Sequence, residues 1–229
     1  MELTIDTSTR YAAVGLSAGG ETLRELTWRS ERNHSVELAP AIRHVMDQAG
    51  VAMADLEAVF VARGPGAFSA LRVGISLAKA IASARRLPLV AVGTLEVEAQ
   101  PYVGLGYPVL AVVEAGRRAL YAAKFHESLS EADGAEVWVS TRDEVLQSIG
   151  SPTLLCGEGA QSLRETAAEH PGSPAMIVDA PRPTRRPAAL AALAYERLRA
   201  GKTDSPENLQ PIYIRGAEFE KVPRRQFTG

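Results

Sequence analysis

The sequence predicts an α/β protein built from two similar halves, each with short strands first and alternating helices and strands afterwards. Three observations lead to this prediction. Short apolar runs bounded by turn residues recur along the chain, and the longer segments carry apolar residues at helical spacing. The second half also repeats the element order of the first, although no repeat of individual residues accompanies that order.

The composition is typical of a globular protein in water. The 229 residues are 46% hydrophobic and 23% charged with a formal net charge of −2, so no chain-wide basic character predicts direct nucleic-acid binding. The single cysteine, Cys156, excludes an internal disulfide and suits a reducing compartment. No apolar run approaches the ~20 residues that span a bilayer, and the acidic N-terminus is unlike a signal peptide. We therefore expect a cytoplasmic protein without a membrane partner.

The first half opens with an antiparallel meander followed by a polar turn at the end of its first strand. The predicted strands are Leu3–Ile5, Ala12–Ser17 and Glu21–Arg29. Asp6, Thr7 and Ser8 follow the first of them. An acid and two hydroxyls at a strand end can orient a magnesium-bound water or a phosphate, or they can close the hairpin as an Asx or Ser/Thr turn. The residues alone favour the turn and leave the ligand site open.

A Gly-Pro-Gly turn joins the next strand, Asp55–Ala62, to a long helix. Gly64 and Gly66 can let a phosphate approach the amides at the helix start, or they can simply make a tight turn around Pro65. The spacing matches neither GxGxxG nor a P-loop, so it favours the turn. The candidate phosphate loop therefore consists of Asp6, Thr7, Ser8, Gly64, Pro65 and Gly66.

Two predicted helices, Asn33–Ala49 and Ser69–Arg85, carry more apolar surface than one sheet face needs. The first has a broad apolar stripe, and the second has small residues at four-residue intervals that let another helix approach closely. Packing on the chain's own sheet is the simpler interpretation. Two such neighbouring helices nevertheless favour a helix-on-helix interface with a partner. Its predicted residues are Leu38, Ile42, Met46, Ala70, Gly74, Ala78 and Ala82.

The remaining elements complete two lobes. Strand Pro88–Val92 is predicted to lie parallel to its predecessor, and the Gly- and Pro-containing segment Pro101–Pro108 separates a first lobe, 1–106, from a second lobe, 107–217. Residues 218–229 are expected to form a mobile tail. The second lobe is predicted to contain strands 109–113, 119–125, 136–140, 153–156 and 176–179 and helices 141–149, 160–169 and 188–200.

Two consecutive βββαβα-like halves with an acid after the first strand resemble the two-lobed actin-like/Hsp70-like ATPase superfold, here compact and without large insertions. A closer resemblance is carried by blocks in matching order and spacing: Ile5–Thr9, Asn33–Ser35, Arg63–Phe68, Leu71–Gly74 and Pro88–Val92. With these blocks the chain resembles the bacterial TsaB family, also called YeaZ. The resemblance is strong over residues 1–100 and weaker at Arg117–Phe125, Gly157–Ala160 and Pro211–Arg215.

The resemblance implies a non-catalytic scaffold subunit of the complex that transfers a threonylcarbamoyl group to adenosine 37 of tRNAs reading ANN codons. It implies that the two helices of the first lobe pair with the matching helices of TsaD, the related transferring subunit. In the absence of TsaD they would pair with a second copy of this chain. The ATPase TsaE would be a third component, and tRNA would be a substrate of the whole complex.

The resemblance also bears on metals and cofactors. TsaD carries a metal-binding histidine pair just after the parallel strand, where this chain has Thr94 and Glu98. A hydroxyl and one carboxylate do not replace two imidazoles, so we expect no catalytic residue, no bound metal and no metallopeptidase activity. The hairpin Glu114–Arg118 departs from the family's usual Asp-Ala-Arg. We expect no tightly bound cofactor in the isolated chain, with ATP and Mg²⁺ belonging to the assembled complex.

An alternative of a different class stays open, namely a stand-alone small-molecule kinase of the same superfold. Binding of Mg-ATP by the isolated chain would favour the kinase. A metal ion that remains bound to the purified protein would favour a metallopeptidase.

Overall fold

The structure is a computed structural model that describes residues 1–31, 33–116, 119–126 and 136–214. The predictions that concern Arg117, Arg118, Arg215 and the tail 218–229 lie outside these residues. Two five-stranded mixed sheets form the framework. We call the first sheet with its covering helices the first lobe, and the second sheet with its covering helices the second lobe.

The first sheet has the strand order β3-β2-β1-β4-β5. Three antiparallel strands form the predicted meander, and the two later strands lie parallel to β1, with a helix connecting β4 to β5. β4 is buried on both faces, which explains why it reads as an unbroken apolar run. The strands are β1 (Glu2–Asp6), β2 (Tyr11–Ala18), β3 (Glu21–Arg29), β4 (Ala58–Ala62) and β5 (Leu89–Val92).

The second sheet repeats this topology, with the order β8-β7-β6-β9-β10. Its first three strands are antiparallel and the last two lie parallel to β6. The predicted duplication of element order is therefore confirmed at the level of topology. The strands are β6 (Val109–Glu114), β7 (Ala119–Phe125), β8 (Val137–Thr141), β9 (Thr153–Cys156) and β10 (Ala175–Ile177).

Helices cover both faces of the first sheet. The helices are α1 (His34–Ala49), α2 (Phe68–Arg85), α3 (Thr94–Ala99), α4 (Arg142–Gln147), α5 (Arg164–Ala168) and α6 (Pro187–Arg199). α1 and α2 cover one face of the first sheet, and α4 and α5 pack against the second sheet. α3 is buried along its whole length, because it lies between the first lobe and the second sheet. Thr141 caps α4 in a capping box, in which its hydroxyl accepts the amide proton of Glu144.

The chain returns to the first lobe near its end, which corrects the predicted second lobe of residues 107–217. α6 packs on the first sheet, where Ala189, Leu190 and Ala194 join the apolar side chains of β4 and β5. Leu209 joins the core under α1 and α2, and the amide of Ile212 donates to the carbonyl of Arg63 at 2.8 Å. The return buries apolar side chains of β4 and β5 on the face of the first sheet that α1 and α2 leave open.

The seven predicted interface residues lie inside the chain's own core. Leu38, Ile42 and Met46 of α1 and Ala78 and Ala82 of α2 pack against the first sheet in one buried cluster. Ala70 and Gly74 are buried as well, and a Cβ on Gly74 would lie 2.3 Å from the hydroxyl oxygen of Thr7. The small residues of α2 therefore allow close packing on the chain's own sheet, which was the simpler interpretation. Leu38, Ile42 and Met46 also line surface depressions between α1 and α2, whereas Gly74, Ala78 and Ala82 line neither of them.

A pair of tryptophan substitutions on α2 tests this correction. Ala78 is fully buried, whereas Ala80 is exposed two residues later on the same helix. Ala78→Trp is expected to lower the free energy of unfolding by about 3 kcal/mol or more, because overpacking a filled core strains it. Ala80→Trp is the matched control and should leave stability nearly unchanged in urea denaturation. Equal stability of the two variants would contradict the assigned burial.

Candidate functional site

The turn between β1 and β2, residues 7–10, is bonded to three helix starts. The hydroxyl of Thr7 donates to the carbonyl of Ala70 in the first turn of α2 at 2.7 Å. The carbonyl of Ser8 accepts the amide proton of Ala67, the residue before α2, at 2.7 Å. The hydroxyl of Thr94, at the start of α3, donates to that of Ser8 at 2.8 Å. A ring nitrogen of His34, at the start of α1, lies 3.0 Å from the carbonyl of Thr9.

The two parts of the candidate phosphate loop, Asp6–Ser8 and Gly64–Gly66, are in direct contact with each other. Asp6 accepts the amide proton of Ser8 at 2.8 Å, which is the Asx turn that the residues predicted. Gly64 has φ +98°, a conformation that glycine adopts without strain. A Cβ on Gly66 would lie 2.0 Å from the carbonyl oxygen of Ser8. The glycines therefore permit direct backbone contact with the β1–β2 turn.

A buried arginine lies against this turn, between the lobes. Arg185 is 3% exposed, and its Nε lies 3.2 Å from the Asp6 carboxylate. Its Nη1 lies 3.4 Å from Glu158, which follows β9 in the second lobe. Its Nη2 donates to the Thr9 hydroxyl at 2.6 Å and to the Tyr11 carbonyl at 2.8 Å. We call Asp6, Thr9, Glu158 and Arg185 the interlobe cluster.

The contacts across the cleft converge on Glu158. Its carboxylate accepts the Thr9 hydroxyl at 2.5 Å, and it lies 3.4 Å from Arg10, which reaches it from the solvent side with a half-exposed side chain. Its carbonyl accepts a hydrogen bond from Arg182 at 3.2 Å. The carboxylate of Glu158 is itself 3% exposed. A buried carboxylate is stable only when it is paired in this way.

Glu98 is a second buried carboxylate beside the interlobe cluster. It projects from α3, and its Oε1 accepts the Thr184 hydroxyl at 2.9 Å. Burial raises the pKa of Glu98 to about 7, an effect that the positive charge of Arg185 opposes and the negative charges of Asp6 and Glu158 reinforce. The carboxyl therefore keeps its proton to a higher pH than an exposed glutamate does.

The polar side chains of this cleft are bonded to one another. Thr94 and Glu98, at the positions of the two histidines, are bonded to Ser8 and Thr184. In the described ranges no group of three or more histidine, cysteine, aspartate or glutamate side chains is placed to hold a metal ion. The guanidinium of Arg185 lies between Asp6 and Glu158. The carboxylates of this cleft are thus neutralised by the chain itself.

Sequence analysis did not identify Arg185, Glu158 or Thr9 as members of one cluster. Arg185 lies in a Pro- and Arg-rich connector, Pro181–Pro187, to which no role was assigned. Glu158 lies in the Gly-rich turn that was noted only for its resemblance. Near these residues, the pair of glycines around Glu158 is the local sequence feature that marks a turn. The bonds of Thr9 to Arg185 and Glu158 join residues 176 and 149 positions apart, so local spacing does not reveal them.

The outward side of α1 and α2 forms a shallow groove with an apolar floor. One depression of about 530 Å³ lies between Ser35, Leu38, Ala39, Arg72, Val73, Ser76, Leu77 and Ala80. A second, of about 360 Å³, shares Ala39 and Leu77 with it and continues to Met53. We call this continuous surface the α1/α2 groove. Val36 of α1, which is 69% exposed, lines neither of these depressions.

An aromatic cluster lies at the start of α2. The rings of Phe68 and Tyr213 stack with their centroids 4.8 Å apart, and the Arg72 guanidinium lies 4.2 Å from the Phe68 centroid. Arg72 also donates to the Tyr213 hydroxyl at 3.0 Å. Because Arg72 lines the α1/α2 groove, the segment after α6 contributes to the surroundings of that groove.

Comparison with known proteins identifies relatives over nearly the whole chain. A family model described as TsaD, tRNA N6-adenosine threonylcarbamoyltransferase, matches residues 28–196. The chain is 29% identical over 225 residues to the Bacillus subtilis tRNA threonylcarbamoyladenosine biosynthesis protein TsaB, and the alignment covers 95% of each chain. It is 26% identical over 234 residues to the Escherichia coli protein of the same name, which covers 98% of this chain and 99% of the relative.

Solved structures confirm the fold. A Pseudomonas aeruginosa crystal structure, described as an uncharacterized protein with similarity to peptidase YEAZ, superposes with a TM-score of 0.76 at 25% identity, covering 93% of this chain and 99% of that one. Together with the two matching sheets, this confirms the predicted actin-like architecture and the resemblance to TsaB/YeaZ. None of the helices in the described part of the chain is long and apolar enough to cross a membrane.

Replacing Gly66 tests the backbone contact at the β1–β2 turn. Gly66→Ala places a Cβ against the Ser8 carbonyl and is expected to lower the free energy of unfolding by about 2 kcal/mol or more, because the backbone has to move. Gly150→Ala is the control, since a Cβ there meets nothing within 4 Å. Chemical denaturation of both variants measures the difference, and a stable Gly66→Ala protein would refute the close approach.

The raised pKa of Glu98 predicts a specific pH dependence of stability. Between the unfolded value of 4.5 and about 7, the folded chain holds a proton that the unfolded chain releases, so this group lowers stability as pH rises. Glu98→Gln removes that loss while keeping an acceptor for Thr184. Its stability relative to the wild type should increase by up to about 3 kcal/mol between pH 4 and pH 8.

Urea denaturation at several pH values measures this change. Glu165→Gln, on the exposed side of α5, is the control and should shift no part of the profile. Stability curves of Glu98→Gln and the wild type that run parallel at every pH would contradict the prediction.

Proposed function

Because the chain belongs to the TsaD family of tRNA N6-adenosine threonylcarbamoyltransferases, we propose that it acts as a TsaB subunit in tRNA threonylcarbamoyladenosine biosynthesis. In this role it supports the transfer of a threonylcarbamoyl group to adenosine 37 of tRNAs reading ANN codons without carrying the reacting groups. The full-length match to the two TsaB proteins supports this assignment over that of the transferring subunit.

The observation that carries the non-catalytic role is the occupied cleft. A catalytic member of such a fold needs ligands for a metal or a phosphate between its lobes. In this chain the Asp6 and Glu158 carboxylates face Arg185, and Thr94 and Glu98 are bonded internally. The two carboxylates are thus already paired with a cation of the chain, although Asp6 Oδ2 and Arg185 Nη1 form ion pairs there rather than hydrogen bonds.

The α1/α2 groove supports the role of partner surface. It combines exposed or half-exposed Ala39, Val73, Leu77 and Ala80 on two neighbouring helices of the first lobe. Such a strip can receive the corresponding pair of helices of a related subunit as a helical bundle. Of the residues in the sequence prediction, Leu38, Ile42 and Met46 would contribute to this surface from α1, and the four small residues of α2 are buried.

The proposed partners follow from this surface. TsaD would form a heterodimer through α1 and α2, and a second copy of this chain would occupy the same groove when TsaD is absent. TsaE would bind the assembled pair, where ATP and Mg²⁺ would also bind. tRNA would be contacted as the substrate of this complex, which would act in the cytoplasm.

The alternative of a stand-alone small-molecule kinase finds no support in the cleft, because Arg185 lies between the two carboxylates that would hold magnesium. Isothermal titration with Mg-ATP separates the two functions. The scaffold role predicts no heat of binding to the isolated chain, whereas a saturating signal would favour the kinase.

A tryptophan in the α1/α2 groove tests the proposed function. Reconstituted threonylcarbamoyl transfer with TsaD, TsaE and tRNA is expected to require this chain and to fall about tenfold or more with Ala80→Trp, because the bulky ring blocks a central contact. Ala200→Trp, at an exposed position after α6, is the control and should retain full activity. Undiminished transfer without the chain would refute the function, and undiminished transfer with Ala80→Trp would refute the surface.

A further inference from the structure

We propose that the interlobe cluster holds the two lobes closed without a ligand and thereby sets the position of the first turns of α1 and α2. In this arrangement the guanidinium of Arg185 is an internal cation that pairs acids from both lobes. The inference concerns the isolated chain and does not depend on its role in tRNA modification.

Each member of the interlobe cluster belongs to one of the two lobes. Arg185 directly precedes α6, and α6 packs on the first sheet, so Arg185 belongs to the first lobe together with Asp6 and Thr9. Glu158 follows β9 and belongs to the second lobe. Opening the cleft would therefore separate Glu158 from Thr9 and Arg185 while leaving the Asp6–Arg185 pair intact.

The second step concerns charge. In the closed form Glu158 faces Arg185 and Arg10, and it accepts the hydroxyl proton of Thr9. Without Glu158, the buried Arg185 would retain Asp6 as an ion-pair partner, and Glu98 is a further acid whose charge acts on it. Hydrogen bonds to charged groups are stronger than neutral ones and depend on geometry. The closed arrangement is thus the one in which the side chains of both lobes are paired.

The third step connects the cluster to the helices. Thr9 contacts Glu158 and Arg185 through its hydroxyl and His34 of α1 through its carbonyl. In the same turn, Ser8 accepts the Ala67 amide proton and Thr7 donates to Ala70. Neither α1 nor α2 has a side-chain N-cap hydrogen bond. Their first turns therefore depend on the position of residues 7–10, which the interlobe cluster holds.

Hydrogen exchange followed by mass spectrometry on the full chain tests the inference. Glu158→Gln keeps the shape of the side chain but removes its charge. It is expected to raise exchange about tenfold or more in peptides covering residues 6–11, 33–37 and 67–71, because charge-assisted contacts are lost. Peptides within β4 and β6 should exchange as in the wild type.

Glu96→Gln is the matched control. Glu96 is another buried glutamate that pairs with an arginine of α6, Arg197, but that pair lies within the first lobe. This variant should leave exchange at 33–37 and 67–71 unchanged. An equal rise in both variants, or a uniform rise across all peptides after Glu158→Gln, would overturn the proposal.

Arg10→Gln provides a second variant that keeps the buried pairs intact, because the Arg10 side chain is 47% exposed and contacts Glu158 from solvent. It should raise exchange in the same three peptides by a smaller factor. Unchanged exchange in these peptides for Arg10→Gln and Glu158→Gln alike would also overturn the proposal.

Discussion

A guanidinium buried between two lobes has to be paired where it lies, and the pairing of Arg185 governs the arrangement of this chain. Its partners come from opposite lobes: Asp6 ends the first strand of one sheet, and Glu158 follows a parallel strand of the other. Arg185 reaches them only because α6 crosses back to the first sheet. The packing of α6 on the first sheet and the closure of the cleft between the lobes therefore depend on each other.

In this chain, the residues of the candidate phosphate loop connect separate elements of the fold through hydrogen bonds and backbone contact. The hydroxyls of Thr7, Ser8 and Thr9 each bond a different element, and Gly66 allows the backbone of the β1–β2 turn to touch the start of α2. Polar groups that are buried must find partners, and these find them within the chain. The polar groups of such a turn can bind a ligand or can bond other parts of the chain. Which of the two occurs depends on the side chains packed around the turn.

α1 and α2 illustrate the limit of helical periodicity. Their spacing correctly identified apolar and small residues on one side, but periodicity does not say what covers that side. Five of the seven residues chosen from it, among them Met46 and Ala78, belong to the core cluster against the chain's own sheet. The surface left for a partner carries fewer and more scattered apolar residues, among them Ala39 and Leu77, and only the packed structure distinguishes the two sides.

The sequence by itself determined the order of the strands and helices, the duplicated βββαβα pattern, the Asx turn at Asp6 and the capping box at Thr141, because each depends on neighbours a few residues away. Tertiary structure alone decided that α6 joins the first lobe and that Glu158 meets Arg185 and Thr9. Those contacts join residues up to 176 positions apart, and no local spacing encodes them. They arise when two sheets close on one another and every buried charge requires a partner.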